Sequence, residues 1–501
     1  MPILHLSILL ASIWVGVFLT VIDETMTATL LTPISTSFNS FTNLSWIATT
    51  YLIGVSAAQP IVGHLTDILG RRESLVAANT TFAIGSLICG LSKDLPTLLA
   101  GRSIQGFGGG ALGTIAAVIE TDLVSLRNRG ITEGIGGILY GVGLAVGGIF
   151  GGGINDAIGW RWAFLIQVPM VVFSTGIICV LARIPKKPSA TGASPMKRID
   201  YVGLFSILVS VVMLQIGLDS GGNTLPWTHP LVLTSLPLAL TTFIIFILWD
   251  LYVADEPIIP IRLFRQRNVA LSCVVYFFTL ASYFTSIYYL PIYLQIIGYS
   301  TTQSGLRFIT QAAGAAVSTF SAGLLVKWTG RYFHLNLAAQ TIFVLGTGLL
   351  IILRLDTGPW APFLFLAFIG LGFGASWVTT MMALLSSITN EQQAVMQSAS
   401  YLFRFLGMMV GFTISSAAFQ KVLKASLDVS LAGQPNAAEL IEKVRTNFTD
   451  WRNLTPPVKK DVQDGYMSAL HVVFYIATAE IAIGAFASLL LEENELPNDL
   501  R

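Results

Sequence analysis

A short loop occurs twice in this chain, each time between two apolar runs. The first copy reads Gly63-His64-Leu65-Thr66-Asp67-Ile68-Leu69-Gly70-Arg71-Arg72, and the second Gly323-Leu324-Leu325-Val326-Lys327-Trp328-Thr329-Gly330-Arg331. Both keep a glycine, six intervening residues, and then Gly-Arg. The flanking runs are long enough to cross a bilayer. A charged, glycine-punctuated loop that recurs in an apolar chain points to a duplicated membrane protein. Parallel repeats of this kind build the two halves of many secondary transporters.

The rest of the chain agrees. Of 501 residues, 53% are hydrophobic and 11% charged, whereas a soluble domain carries about 25% charged residues. That balance excludes a soluble enzyme. A net charge of +1 supplies no electrostatic attraction for nucleic acid. Apolar runs fall at 6–32, 45–63, 74–92, 95–119, 133–154, 163–183, 200–218, 231–252, 269–294, 304–326, 335–353, 361–385, 398–419 and 467–490, about fourteen spans. The two loop copies follow spans 2 and 10. A six-plus-six duplication with two inserted spans gives that offset. The sequence therefore predicts an all-α membrane protein of two six-helix bundles plus two extra helices. Their expected bounds are 1–183 for the first bundle, 184–199 for a basic linker, 200–260 for the extra pair and 261–501 for the second bundle. The stretch 421–466 is expected to be a long loop.

Short-loop lysines and arginines set orientation. One set of loops holds Arg71, Arg72, Arg127, Arg129, Lys186, Lys187, Lys197, Arg198, Arg262, Arg265, Arg267, Lys327 and Arg331, and the opposite set little beyond Lys93, Arg161 and Arg354. The richer side, with both termini, is expected to be cytoplasmic. The first run lacks a basic lead-in and reads as a retained span rather than a cleaved signal. Asn447 and Asn453 begin acceptor sequons on the other side. Cys89, Cys179 and Cys273 lie in apolar runs without metal or redox spacing. No phosphate-binding Gly-x-x-x-x-Gly-Lys-Ser/Thr occurs, so ATP is not the expected energy source. With no metal cluster or nucleophile triad either, no enzyme and no cofactor is expected.

Ionisable residues inside apolar runs stand out, because a charge in the bilayer must face a cavity or a partner. Asp23 and Glu24 lie deep in span 1, Arg102 in span 4 one turn from Gln105 and Gly106, and Glu480 near the middle of span 14 with His471 nearby. Asp23 and Glu24 point about 100° apart on a helix, so they cannot face the cavity equally. Glu480 reads either as a cavity group or as a partner within the bundle. Arg307 and Arg404 read as anchors near span ends. Asp67 is placed to meet a helix N-terminus, and Arg71 to pair with Asp122 when the cytoplasmic side is closed. Asp156, Trp160, Arg161 and Trp162 form a structural corner. Span 5 carries Gly143, Gly147 and Gly151 at helix-packing spacing, and span 13 carries Gly407 and Gly411.

These motifs, in this order, resemble the major facilitator superfamily and its fourteen-span drug:proton antiporter branch. The resemblance covers nearly the whole chain. It matches Asp23 and Thr25 to the span-1 motif, Gly63 to Arg72 (with Gly63, Asp67, Gly70, Arg71 and Arg72) to the loop signature, and Arg102, Gln105 and Gly106 to the span-4 signature. Gly143 to Gly152 match the antiporter motif, including Gly147, Gly151 and Gly152, with one departure: Gly148 stands where the family has proline. Stretches such as Ser45-Trp46-Ile47-Ala48-Thr49-Thr50-Tyr51-Leu52 and Gly159-Trp160-Arg161-Trp162-Ala163-Phe164 are similar to fungal vacuolar basic amino acid transporters. The resemblance implies a monomeric proton antiporter carrying lysine, histidine and arginine from cytosol into the vacuole. It implies Asp23 as the proton or substrate carboxylate, with Arg102 as its partner and Glu24 as a second contact, facing a neighbouring helix. The alternative is an exporter of cationic drugs or toxins at the plasma membrane. A nutrient sensor is a third reading, and the short tail from Glu492 argues against it.

Overall fold

The computed structural model of this protein describes residues 3–123, 126–181, 200–221, 225–254, 259, 261–389, 392–432, 434, 436–446, 448 and 454–494. The helices, in chain order, are α1 (Ile3–Ser37), α2 (Leu44–Leu69), α3 (Arg71–Leu91), α4 (Leu95–Leu123), α5 (Leu126–Ile158), α6 (Trp160–Leu165), α7 (Gln167–Leu181), α8 (Tyr201–Ser220), α9 (Pro230–Tyr252), α10 (Arg267–Ile296), α11 (Thr301–Thr329), α12 (Phe333–Leu350), α13 (Ala361–Leu385), α14 (Gln393–Ser430), α15 (Ala437–Thr446) and α16 (Pro456–Leu489). In lipid, backbone groups must be satisfied within each segment, and helices do this.

Among the described residues, twelve of these segments are long and apolar enough to span a membrane, with α6 and α7 counted as one. The expectation was about fourteen. The two that fall short, α2 and α4, are 26 and 29 residues long. Both are long enough to cross a bilayer; on α4, Arg102 and Gln105 lower the hydropathy without shortening the helix, and much of the far half of α2 lies outside the described side chains. The expected loop 421–466 is also corrected. Much of it is helical, in the far end of α14, in α15 and in the start of α16. Leu423, Leu427 and Leu431 recur every fourth residue and are fully buried, as is Val462 four residues after Val458. This spacing puts each set on one helix face, although many charges keep the average hydropathy low.

Helices α1 to α7 pack among themselves, as do α10 to α14 with α16. The two groups meet along α5 with α11, α2 with α14, and α1 with α10 and α11. The inserted pair is joined at α8 to both α2 and α14, so it lies along a seam between the halves. Gln215 on α8 donates to the Thr413 hydroxyl on α14 at 2.8 Å, and Thr49 on α2 donates to Asp219 on α8 at 3.0 Å.

Glycines decide how close the helices come. On α5, a Cβ at Gly147 would lie 2.1 Å from Thr25 Oγ1 and 2.5 Å from the Ile22 carbonyl oxygen, so α1 can approach only a bare backbone. The opposite face of α5 makes the contact between halves. There a Cβ at Gly152 would lie 2.6 Å from the Thr301 carbonyl oxygen of α11. Nearby, Asp156 on α5 accepts from the Thr302 backbone N–H at 3.0 Å and from its hydroxyl at 2.5 Å. Phe41, after α1, stacks on Phe448 at 5.2 Å and meets Phe419 edge-on at 6.3 Å. The halves are thus closed together at the end opposite the Gly-Arg loops.

Candidate functional site

Asp23 on α1 points toward α4, where every oxygen it has is used. Its Oδ2 pairs with Arg102 Nη1, and its Oδ1 accepts from Gln105 Nε2 at 3.0 Å. Arg102 Nη1 also donates to Gln105 Oε1 at 2.7 Å, and Nε to the Ile47 carbonyl at 3.3 Å. The guanidinium lies 4.4 Å from the Tyr51 ring centre. Asp23, Arg102 and Gln105 are all fully buried. One turn of α4 separates Arg102 from Gln105, which is why both reach the same carboxylate. Gly106 lets α2 come close enough to seal the cluster, since a Cβ there would lie 2.0 Å from the Tyr51 carbonyl oxygen.

Glu24 turns the other way. It is half-buried and lines a narrow, closed gap between the halves, with Thr25, Leu144, Tyr283, Phe284, Ile287 and Tyr288. Tyr140 on α5 donates its hydroxyl to Glu24 Oε2 at 3.3 Å. Tyr288 on α10 donates to the Glu24 carbonyl at 3.4 Å. The pairing of Asp23 with Arg102 is as expected, and the facing expected of Glu24 is corrected. Glu24 faces the gap and Asp23 faces α4, because a one-residue step turns the side chain by about 100°.

The second half supplies rings. Tyr283 stacks on Phe373 at 3.9 Å, and Phe373 meets Trp377 at 5.8 Å. Arg404, expected near a span end as an anchor, is instead 2% exposed and enclosed by Tyr276, Trp377 and Tyr401. Arg307 lies over Tyr299 at 3.7 Å and donates to the Gln303 carbonyl at 2.6 Å. Glu480 on α16 is 8% exposed, packs against Gly411 on α14 and lies beside Thr285 on α10. Its Oε2 has no hydrogen-bond partner, and it lines no part of the gap around Glu24. His471 Nε2 lies 2.7 Å from the Leu353 carbonyl oxygen.

At the Gly-Arg loops, Gly70 ends α2 with φ of 102° and Gly330 ends α11 with φ of 67°, a region that favours glycine. Arg71 donates to the Thr66 carbonyl at 3.0 Å, and Arg72 to the Cys179 carbonyl. The side-chain surroundings of Gly63, Asp67 and Asp122 lie outside the described residues, as do Asn447 and Asn453. Among the span-5 glycines, Gly143, Gly147 and Gly151 pack on α1, while Gly152 packs on α11. Tyr140 and Tyr288 were not singled out from the sequence. A signal for Tyr140 did exist: it stands three residues before Gly143, as Arg404 stands three before Gly407.

Comparison with known proteins fits this geometry. The family model of the Major Facilitator Superfamily matches residues 13–412. The chain is 34% identical over 484 residues to "Multidrug resistance protein fnx1" of Schizosaccharomyces pombe, covering 96% of this chain and 90% of that one. It is 29% identical to "Vacuolar membrane amino acid uptake transporter fnx2" of the same organism, covering 98% and 85%. It is 31% identical to "Efflux pump dotC" of Dothistroma septosporum, covering 99% and 86%. Among solved structures, a bacterial homologue of the human lysosomal transporter Spinster, inward-facing and unoccupied, superposes with a TM-score of 0.63 at 15% identity and covers 98% of both chains. With the family model across most of its length and relatives matched nearly end to end, this chain belongs to the major facilitator superfamily and is a membrane transporter of that fold.

Proposed function

We propose that this transporter exchanges protons for basic amino acids (lysine, histidine and arginine), moving them from the cytosol into the vacuole as a monomer with both termini cytoplasmic. The observation that carries this reading is Glu24, a carboxylate on the gap between the two halves, held by the Tyr140 phenol of the first half, with the Tyr288 phenol of the second half on the Glu24 backbone carbonyl. A lone carboxylate there binds either a proton or a cationic amine, because an uncompensated charge in this setting is costly. Exchange follows from that competition. Asp23, Arg102 and Gln105 form a neutral, hydrogen-bonded support that fixes the rotation of α1 and so aims Glu24. Gly63, Asp67, Gly70, Arg71, Arg72 and Asp122 are assigned to closure at the cytoplasmic end. Glu480, away from the gap, is assigned to the interior of the second half. The bundles are taken as 1–183 and 261–501, with 184–199 and 200–260 between them.

The named relatives divide between amino acid uptake and drug efflux. Export of flat cations at the plasma membrane is the second reading, favoured by the rings of Tyr283, Phe284 and Tyr288 on the gap, since aromatic faces attract cations. ATP-dependent uptake of labelled lysine into vacuolar vesicles tests the first reading. Uptake above that of vesicles lacking the protein, abolished by an uncoupler and by Glu24→Gln, is expected. Uncoupler-sensitive lysine uptake that survives Glu24→Gln sinks the assignment of Glu24. No lysine uptake, with export of a cationic dye, selects the second reading.

A further inference from the structure

Arg404 is buried in an unusual way. Its guanidinium carbon lies 3.8 Å from the ring centre of Tyr276, 3.9 Å from Trp377 and 4.7 Å from Tyr401. Ring faces attract the charge, and the Tyr276 side chain is also a hydrogen-bond partner. Its Nε and Nη2 are buried and have no hydrogen-bond partner. Among the described residues no carboxylate forms an ion pair with it. Arg102 shows how the same chain holds a structural arginine: one nitrogen, Nη2, is left over, but a carboxylate, an amide and a backbone carbonyl meet the rest and the charge is paired. A buried arginine with unused donors is a binding group waiting for an acceptor.

The two unused nitrogens form one edge of the guanidinium. That edge matches the two oxygens of a carboxylate, which a planar arginine binds side-on through parallel hydrogen bonds. Tyr140 ties the edge to the gap. Its hydroxyl donates to Glu24, its ring stacks on Trp377 at 6.3 Å, and Trp377 in turn lies 3.9 Å from the Arg404 guanidinium. An acid on α1 and a cation on α14 therefore lie at the two ends of one aromatic pair that bridges the halves of the molecule.

We propose that Arg404 binds the carboxylate of the substrate, so that the protein selects molecules carrying both an amine and a carboxylate over amines alone. This rests on the reading of the gap as the substrate site. A substrate with both charges then engages Glu24 in the first half and Arg404 in the second. An amine without a carboxylate engages the first half alone.

Binding to purified wild-type protein tests this with lysine, its methyl ester and cadaverine, which lacks the carboxylate. A site built to hydrogen-bond a substrate group rejects analogues lacking it strongly, so a preference for lysine of about tenfold or more is expected. In Arg404→Gln the preference should collapse toward one. Arg404→Lys keeps the charge but loses the two-pronged edge, and should reduce the preference as well. Gel filtration and thermal unfolding establish that each variant is folded. If Arg404→Gln does not fold, Arg404→Lys and the wild-type comparison decide the matter. Wild-type protein that binds cadaverine or the ester as tightly as lysine overturns the proposal. So does a preference that survives both substitutions, and in either case the amino acid reading of the gap stands. Wild-type protein that binds a cationic dye but none of the three compounds removes that reading, and this proposal with it.

Discussion

Arg102 in the first half and Arg404 in the second are buried almost equally, at 0% and 2% exposed, but they are solvated by different chemistry. Arg102 has Asp23, Gln105 and a carbonyl. Arg404 has three rings. Each leaves buried N–H groups over, Nη2 of Arg102 and both Nε and Nη2 of Arg404, but only the first has its charge met by a carboxylate. A closed ion pair holds one geometry, because losing either partner strands the other charge in the interior. A ring-bound cation with a free edge can change partners without that penalty. The same contrast separates Asp23, whose two oxygens are both occupied, from Glu24 one residue later, which faces the gap.

Removing the first arginine should have the largest effect. Arg102→Met leaves Asp23 buried without its partner, and breaking a buried pair costs about 3–5 kcal/mol. Thermal unfolding of purified protein should show a large drop, and Asp23→Leu in the same chain should restore much of it. Arg404→Met strands no carboxylate and should cost clearly less. Equal losses for the two single variants would break the comparison.

The glycine faces of α5 sharpen it. Gly147→Ala forces a Cβ against Thr25 and Ile22 within the first half, and overpacking of this kind costs about 1–3 kcal/mol. Gly152→Ala forces one against Thr301 across the seam. The seam can relieve that clash by opening, so stability should fall less and transport should fall more. Melting temperature and uptake per folded molecule, measured side by side, check this. A larger melting loss for Gly152→Ala would contradict it.

The smallest effect is expected at Asp156, which accepts two hydrogen bonds from Thr302 in the first turn of α11. A carboxylate at an exposed helix start contributes about 0.5 kcal/mol. Asp156→Asn should barely move the melting temperature. It should raise accessibility at the closed end, read by thiol labelling of Thr301→Cys. Labelling unchanged by Asp156→Asn would remove this contact from the closure between halves.

The repeated Gly-Arg loops, the apolar runs and the position of Arg102 with Gln105 one turn along α4 were all legible in the chain. Each depends on neighbours in sequence: length against bilayer thickness, composition, or the period of one helix. Where local composition misled, the reason was averaging. Charges in 421–466 masked the four-residue recurrence of Leu423, Leu427 and Leu431, and Arg102 and Gln105 lowered the hydropathy of α4.

What the tertiary structure alone decided was rotation and company. Asp23 and Glu24 are equally deep and equally acidic in the sequence. Their roles diverge because Gly143, Gly147 and Gly151 seat α1 on α5 at one angle, which turns Asp23 into Arg102 and Glu24 toward Tyr140. Arg404 likewise looked like an anchor. Tyr401 lies one turn away on the same helix, but only the convergence of α10, α13 and α14 adds Tyr276 and Trp377, because residues 128 and 27 positions away in the chain are brought to Arg404 by helix packing and by nothing in its own segment.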